Sequence, residues 1–376
     1  MQIEKLEDLA DPEKCPRIVV KVGSSLLIGA GDIRRRWLGG LVAEIAAMLR
    51  RGQQVIVVSS GAIALGASRL KFDKGGRGSL EDAQASAAVG QIALSGMWSE
   101  LLGMLGTPAA QMLLTLDDLE YRRRYLNVTA TLNRLLDAGA IPVINENDCI
   151  ATHEIRFGDN DRLAARVAQA ARASAVLLLS DIDGLYDRDP GDPEAKLLKI
   201  VNGVDAEIHA MATGGSGSGM GSGGMTSKLQ AAEIADLAGI PLAIINGQHD
   251  MPIERAMETG TGTLFRSAEG HSARKAWLGG RMRMRGSLII DDGAVAALRD
   301  GNSLLAKGIV KIEGSFQRGA PVAIRNREHA LIARGLVEYD SAECEHILGT
   351  HSNDQEAILG YAPRSAVVHR DQLALL

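Results

Sequence analysis

Three segments of the 376-residue chain carry residue types suited to gripping phosphate. In the first, Lys21 is followed by Val22, Gly23, Ser24 and Ser25, which sets an ammonium beside a tight turn whose backbone N–H groups are open to an anion. A lysine snorkelling out of a strand end would look the same, so this segment by itself leaves both readings open. In the second, Ser59, Ser60, Gly61 and Ala62 form another turn of hydroxyls and glycine. It is a weak signal, because Ser and Gly fill many turns for local reasons. The third is the most specific: residues 214–224 are almost all Gly and Ser and lead through Met225, Thr226, Ser227 and Lys228 into a helical pattern. Residues without side chains let the backbone approach a triphosphate closely, and a helix start adds partial positive charge. Lys228 would aim an ammonium at the same place. A flexible linker accounts for residues 214–219, but not for a glycine pair that opens a helix.

Two polar blocks suggest a small ligand beside that phosphate. Asn145, Glu146, Asn147 and Asp148 follow an apolar run, and Gly158, Asp159, Asn160 and Asp161 open a helical one. One of Asp159, Asn160 or Asp161 serves as the helix N-cap, and the remaining amides and carboxylates are surplus to capping. A further apolar run ends in Ser180, Asp181, Ile182, Asp183, Gly184, Leu185 and Tyr186. Asp183-Gly184 reads as a turn, and the segment equally suits contacts to a nucleoside.

Several familiar nucleotide sites are excluded. Gly219, Gly221 and Gly224 match the spacing of a dinucleotide fingerprint. However, no strand leads into them, and the next apolar run ends without an acidic residue for a ribose. The chain holds no G-x-x-x-x-G-K-[ST] loop and no D-F-G, so the protein-kinase set that joins H-R-D to D-F-G does not occur.

The elements that must position these residues follow from hydrophobic patterning. Apolar runs at 17–22, 54–58, 108–113, 141–145, 175–179 and 241–246 are short and bounded by Gly, Pro, Ser or Asn, as suits strands buried on both faces. Amphipathic stretches at 37–51, 122–138, 161–172 and 226–238 predict helices, the first closed by Gly52 in the C′ place. This alternation predicts an α/β three-layer sandwich with a mainly parallel sheet, whose ligands gather at the carboxyl ends of its strands. Beyond about residue 280 the pattern changes. Val- and Ile-rich runs at 286–290, 308–313, 321–325 and 331–339, with a helical piece at 293–300, predict a small β-barrel-like domain joined through the polar stretch 267–275.

Composition bounds the class. A formal net charge of -5 gives no bulk field for nucleic acid or anionic lipid. Three dispersed cysteines argue against a disulfide framework or a zinc site and fit a reducing compartment. The polar first residues carry no signal-peptide core, and no apolar run is long enough to span a bilayer, so a cytoplasmic protein is expected.

The ordered motifs VVKVGSS, VVSSGAIALG, INENDCI, GDND, LLLSDIDGLY and GGMTSK resemble the amino acid kinase family. Within it, they are most similar to the members that phosphorylate the γ-carboxylate of glutamate at the start of proline biosynthesis. GSLIIDDGAVAAL, GNSLLAKGI, SFQRGAPVAI, ILGY and VVHRDQL resemble a C-terminal PUA domain. The resemblance thus runs from Arg17 to the C-terminus, and the residues before Pro12 have no counterpart. It implies a kinase domain at 1–270, binding ATP and glutamate, and a PUA domain at 283–376. It further implies that Lys21, Lys228 and Asp161 form the catalytic set, Asp161 holding the two lysines. Ser60, Asp148 and Asn160 would bind L-glutamate. Lys21, Ser180, Asp181, Ser222, Gly223, Gly224, Met225, Thr226, Ser227 and Lys228 would bind ATP, accompanied by Mg²⁺ held by phosphates and water without a named protein ligand. Self-association, inhibition by proline and partnership with glutamyl phosphate reductase are implied in the same way. The sequence departs from the family pattern in having Ser in LLLSD where many members carry Thr, and MTSK where others read MSTK.

Two rivals remain to be weighed. Acetylglutamate, aspartate, carbamate or uridylate kinases share the class, but INEND followed by GDND and the PUA module argue against them. RNA binding is the rival from another class. Between residues 281 and 376, 12 basic and 12 acidic side chains cancel, which leaves no general basic patch. Arg281, Arg283 and Arg285 form a local cluster that a solvated strand edge explains equally well.

Overall fold

Runs of Val, Ile, Leu and Ala build the central sheet of the computed structural model, which describes residues 2–29, 31–150, 160–213, 224–267, 284–351, 354–361, 363–364 and 366–375. Gly158, Asp159, Ser222, Gly223, Arg281, Arg283 and most of the linking stretch lie outside the described residues. The chain divides into two compact units, one of Met1–Glu120 with Asn127–Gly270, the other of Tyr121–Leu126 with His271–Leu376.

The first unit is organised by an eight-stranded sheet. Its strands are β1 (Arg17–Val22), β2 (Gln54–Ser59), β3 (Ala109–Leu114), β4 (Ile141–Glu146), β5 (Ala175–Ser180), β6 (Ile200–Asn202), β7 (Leu242–Asn246) and β8 (Thr263–Arg266). They lie in the order β3-β4-β2-β1-β5-β7-β8-β6. Neighbours from β3 to β7 run parallel, and β8 turns antiparallel to β7 while pairing parallel with β6. The expectation of a mainly parallel α/β sandwich therefore holds. β1 sits at the centre, and its residues from Ile18 to Val22 are all buried, as a strand covered on both faces requires.

Five helices matter for the site. α1 (Ser24–Leu27) follows β1 directly, α2 (Ala62–Leu70) follows β2, and α3 (Leu80–Met104) precedes β3. α4 (Asn160–Ala171) and α5 (Met225–Leu237) pack side by side. The 25-residue α3 has no counterpart in the amphipathic reading. Ala, Gly and Ser recur around its whole circumference, so no apolar stripe marks it. Its packing explains the composition. A Cβ on Gly66 of α2 would fall 1.7 Å from the Ser86 carbonyl oxygen, and one on Gly90 of α3 1.8 Å from the Ala62 carbonyl oxygen. The two helices meet backbone to backbone, which only glycine permits. The N-terminal residues have a structural place as well: Ile3, Leu6 and Leu9 are buried in the main core.

The second unit carries β9 (Gly286–Ile290), β10 (Ile309–Glu313), β11 (Pro321–Arg325), β12 (Leu331–Leu336) and β13 (Leu373–Leu375), in the order β10-β9-β11-β12-β13. Leu288, Ile290, Val322, Ile324 and Tyr339 fill its own core, beside a helix at Asp292–Arg299. No helix among the described residues is long and apolar enough to cross a membrane.

Candidate active site

The carboxyl end of β1 delivers Lys21 to the middle of the sheet, where the chain breaks at Gly23 and enters α1. The first turn of α4 brings Asp161 there, because Leu163, Ala164, Val167 and Ala168 bury that helix against the sheet. α5 starts just after Gly224 and supplies Ser227 and Lys228 from its own first turn, anchored by buried Leu229, Ala231, Ala232 and Ala235.

These residues converge on one carboxylate. Lys21 Nζ lies 2.6 Å from Asp161 Oδ1, and Lys228 Nζ lies 3.4 Å from Asp161 Oδ2. The Ser227 hydroxyl donates to the same Oδ2 at 3.4 Å. Exposure is 8% for Lys21, 5% for Lys228 and 1% for Asp161. Burial by itself would raise the Asp161 carboxyl, but the fields of Lys21 and Lys228 outweigh it and hold the group below the ordinary aspartate range. Two ammonium groups and one carboxylate leave a net positive charge at the amino ends of two helices, which is an electrostatic seat for a phosphoryl group.

The next residue in the chain, Asn160, begins a second cluster. Its Nδ2 donates to Ser60 Oγ at 2.7 Å and to Asn145 Oδ1 at 3.0 Å. Asn145 Oδ1 also accepts from the Glu146 backbone N–H at 2.9 Å, and Asn145 Nδ2 donates to Gln91 Oε1 of α3 at 2.8 Å. Trp98, also on α3, donates from its indole N–H to Ser59 Oγ at 2.9 Å and ties the end of β2 to that helix. Asn160 is buried and its Oδ1 has no protein partner. Asp148 is buried too, with Oδ1 equally unpartnered. Burial pushes its carboxyl up to about 6, against the lowering pull of Arg77. Each Oδ1 is a buried acceptor without a protein donor, which suits it to a cationic ligand group.

The expected nucleotide residues form a third group, at the ends of β5 and β7. Ser180 Oγ donates to Asp181 Oδ1 at 3.2 Å, and Asp183 accepts from the Tyr186 hydroxyl at 3.1 Å and from Asn246 Nδ2 at 2.9 Å. Asp181 and Thr226 are exposed, and Met225 is half-buried. The structure thus joins Lys21, Asp161, Ser227 and Lys228 in one cluster and Ser60 with Asn160 in another. Ser222 and Gly223 lie outside the described residues. Sequence reasoning passed over Gln91, Arg77 and Asn246. Nothing local marks Gln91 or Arg77, whereas Asn246 shares the strand-end position that drew attention to Asn145.

The end of a buried parallel strand, two helix starts and paired lysines about an aspartate make an arrangement suited to a phosphoryl group on an α/β sheet. The chain belongs to the amino acid kinase family, whose sequence model matches residues 16–246, and a PUA domain model matches residues 286–359. It is 65% identical to the glutamate 5-kinase of Novosphingobium aromaticivorans over 377 residues, covering 100% of both chains. Identity is 58% to the glutamate 5-kinase of Sphingopyxis alaskensis, covering 98% of this chain and 100% of that one. It is 57% to the glutamate 5-kinase of Zymomonas mobilis, covering 97% and 92% respectively.

Proposed function

We propose that this chain transfers the γ-phosphoryl group of ATP to the γ-carboxylate of L-glutamate, forming L-glutamyl 5-phosphate, the first step of proline biosynthesis. The observation that carries the reading is the adjacency of the two clusters. Asp161 anchors the lysine pair, and Asn160, one residue earlier, carries a buried Oδ1 without a protein partner. Residues 1–270 bind ATP and glutamate, and residues 283–376 form the PUA domain.

The nucleophile needs no general base. A γ-carboxylate with a reference pKa of about 4.3 is ionised at neutral pH. Its oxygen attacks the γ-phosphorus as the bond to the β,γ-bridging oxygen breaks, and ADP leaves with that electron pair. The obstacle is repulsion between two anions, so catalysis rests on in-line positioning and charge neutralisation. Lys21 and Lys228 flank the transferred group and Asp161 keeps both ammonium groups in place. Asp148 and Asn160 take the substrate ammonium through their free Oδ1 atoms, with Ser60 alongside. Ser180, Asp181 and residues 222–228 hold the nucleotide. Bound with the triphosphate, Mg²⁺ would offset part of its charge. The ion's ligands would be mainly phosphate oxygens and water. Self-association, and delivery of the labile acyl phosphate to glutamyl phosphate reductase, belong to the same proposal.

The test is ADP release with glutamate, acetylglutamate, aspartate, carbamate and UMP, with the acyl phosphate trapped by hydroxylamine as a hydroxamate. Turnover confined to glutamate is expected. Preferential turnover of another acceptor would overturn the substrate assignment, and salt-sensitive micromolar RNA binding without any turnover would overturn the enzyme reading.

A further inference from the structure

The hydrogen bonds around Asn160 have a direction that a single backbone group imposes. An amide N–H can only donate, so the Glu146 N–H, 2.9 Å from Asn145, must face the Asn145 oxygen rather than its nitrogen. That choice turns Asn145 Nδ2 toward Gln91, whose facing atom must then be the acceptor Oε1, 2.8 Å away. It also obliges Asn160 to present Nδ2 to Asn145 Oδ1 at 3.0 Å. The second Nδ2 hydrogen goes to Ser60 Oγ at 2.7 Å. Both donors of Asn160 are now used, and only its buried Oδ1 remains. The chain of amides therefore presents an acceptor to the ligand, and reversal of the Asn145 amide would break its three bonds.

From this geometry we infer that Gln91 is a positioning residue for the substrate amine, acting through Asn145 to fix Asn160 with its oxygen toward the ligand. The inference rests on the glutamate reading above and extends it to a residue of α3 that meets the amide cluster through Asn145. What Gln91 contributes is one acceptor oxygen at the end of the relay. Without it, the buried Asn145 Nδ2 loses its acceptor, and only the Glu146 N–H is left to steady the amide that receives Asn160.

The requirement for an oxygen, rather than for bulk, gives a test with opposite signs. Gln91→Leu keeps the volume and removes the acceptor. It should raise KM for glutamate about tenfold or more, as expected for an unsatisfied buried amide, and leave KM for ATP within about twofold. Gln91→Glu keeps an acceptor oxygen and should stay within about threefold of the wild type in both. A role in packing alone predicts the reverse order. The preference for glutamate over glutarate, which lacks the amine, should shrink about tenfold in Gln91→Leu. If thermal melting shows that Gln91→Leu is poorly folded, Gln91→Met, with equal length and no acceptor, takes its place. An unchanged KM for glutamate in both apolar variants, or an equal loss in Gln91→Glu, would overturn the assignment. Failure of the glutamate reading itself is separable, because the wild-type enzyme would then not turn over glutamate.

Discussion

Asp161→Asn replaces an anion between two buried cations with a neutral group of the same shape. At an effective dielectric constant of about 20, unit charges at the observed 2.6 and 3.4 Å attract by ~6 and ~5 kcal/mol before desolvation is counted. Desolvation of three buried groups cancels much of this, and removing one member of a buried pair typically costs about 3–5 kcal/mol. For a domain of this size each kcal/mol moves Tm by roughly 2–4 °C, so melting at pH 7 should fall by roughly 6–20 °C. The pH dependence has a definite sign. Asp161 is held below its ordinary value of 3.8, so its contribution is full above that pH and fades as pH falls through the still lower folded value. The Tm gap between wild type and variant should therefore be constant around neutrality and close only below about pH 4. Catalysis should suffer separately, because the lysines lose their anchor: kcat is expected to fall at least ~100-fold in an ADP-release assay at saturating substrates. A variant with wild-type Tm at pH 7 and kcat within a few-fold of normal would refute the view that Asp161 organises the lysine pair.

Three further outcomes follow from the same geometry. Lys228→Ala should lower kcat by at least ~100-fold, and a variant altered only in KM for ATP would reduce Lys228 to a binding group. Asp148→Asn should raise KM for glutamate while raising Tm at pH 7. Burial lifts the Asp148 carboxyl from 3.8 to about 6, so ionisation of the empty site is a strain that grows between those values and that Asn removes. In the wild type, KM for glutamate should climb as pH drops below about 6; a flat profile would remove Asp148 from the ammonium site. Gly66→Ala forces a methyl into the position 1.7 Å from the Ser86 carbonyl oxygen, so α2 and α3 must part. A loss of about 1–3 kcal/mol or more is expected in thermal or urea unfolding, and an unshifted transition would contradict the backbone-to-backbone packing.

Much of the fold was readable before any coordinates. Strands covered on both faces are continuous apolar runs, and β1, β2, β4 and β5 announce themselves in that way. α3 does not, since its small residues answer to a neighbouring backbone rather than to an apolar face. β6 and β8 are only three and four residues long, too short for periodicity to accumulate. In the site, the strand-end rule located Lys21 and Asn145, and the glycine-to-helix transition located Lys228. Gln91 lies mid-helix with no turn or cap to mark it.

The sequence by itself determined which chemistry was available: lysines at glycine turns for phosphate, amides and carboxylates for a small polar acceptor, and alternating elements to gather them at one edge of a sheet. Local pattern can specify this much because strands, turns and helix starts are set by neighbours in the chain. Which residues meet is another matter. Lys228 and Asp161 are 67 positions apart, Asn160 and Ser60 100, and Asn145 and Gln91 54. Only the packing of α4 beside β1, of α5 against α4, and of α3 against α2 turned those separations into an anchored lysine pair and an amide relay with a defined polarity. Distance, burial and hydrogen-bond direction are properties of the folded chain, and they decide what each of these side chains does.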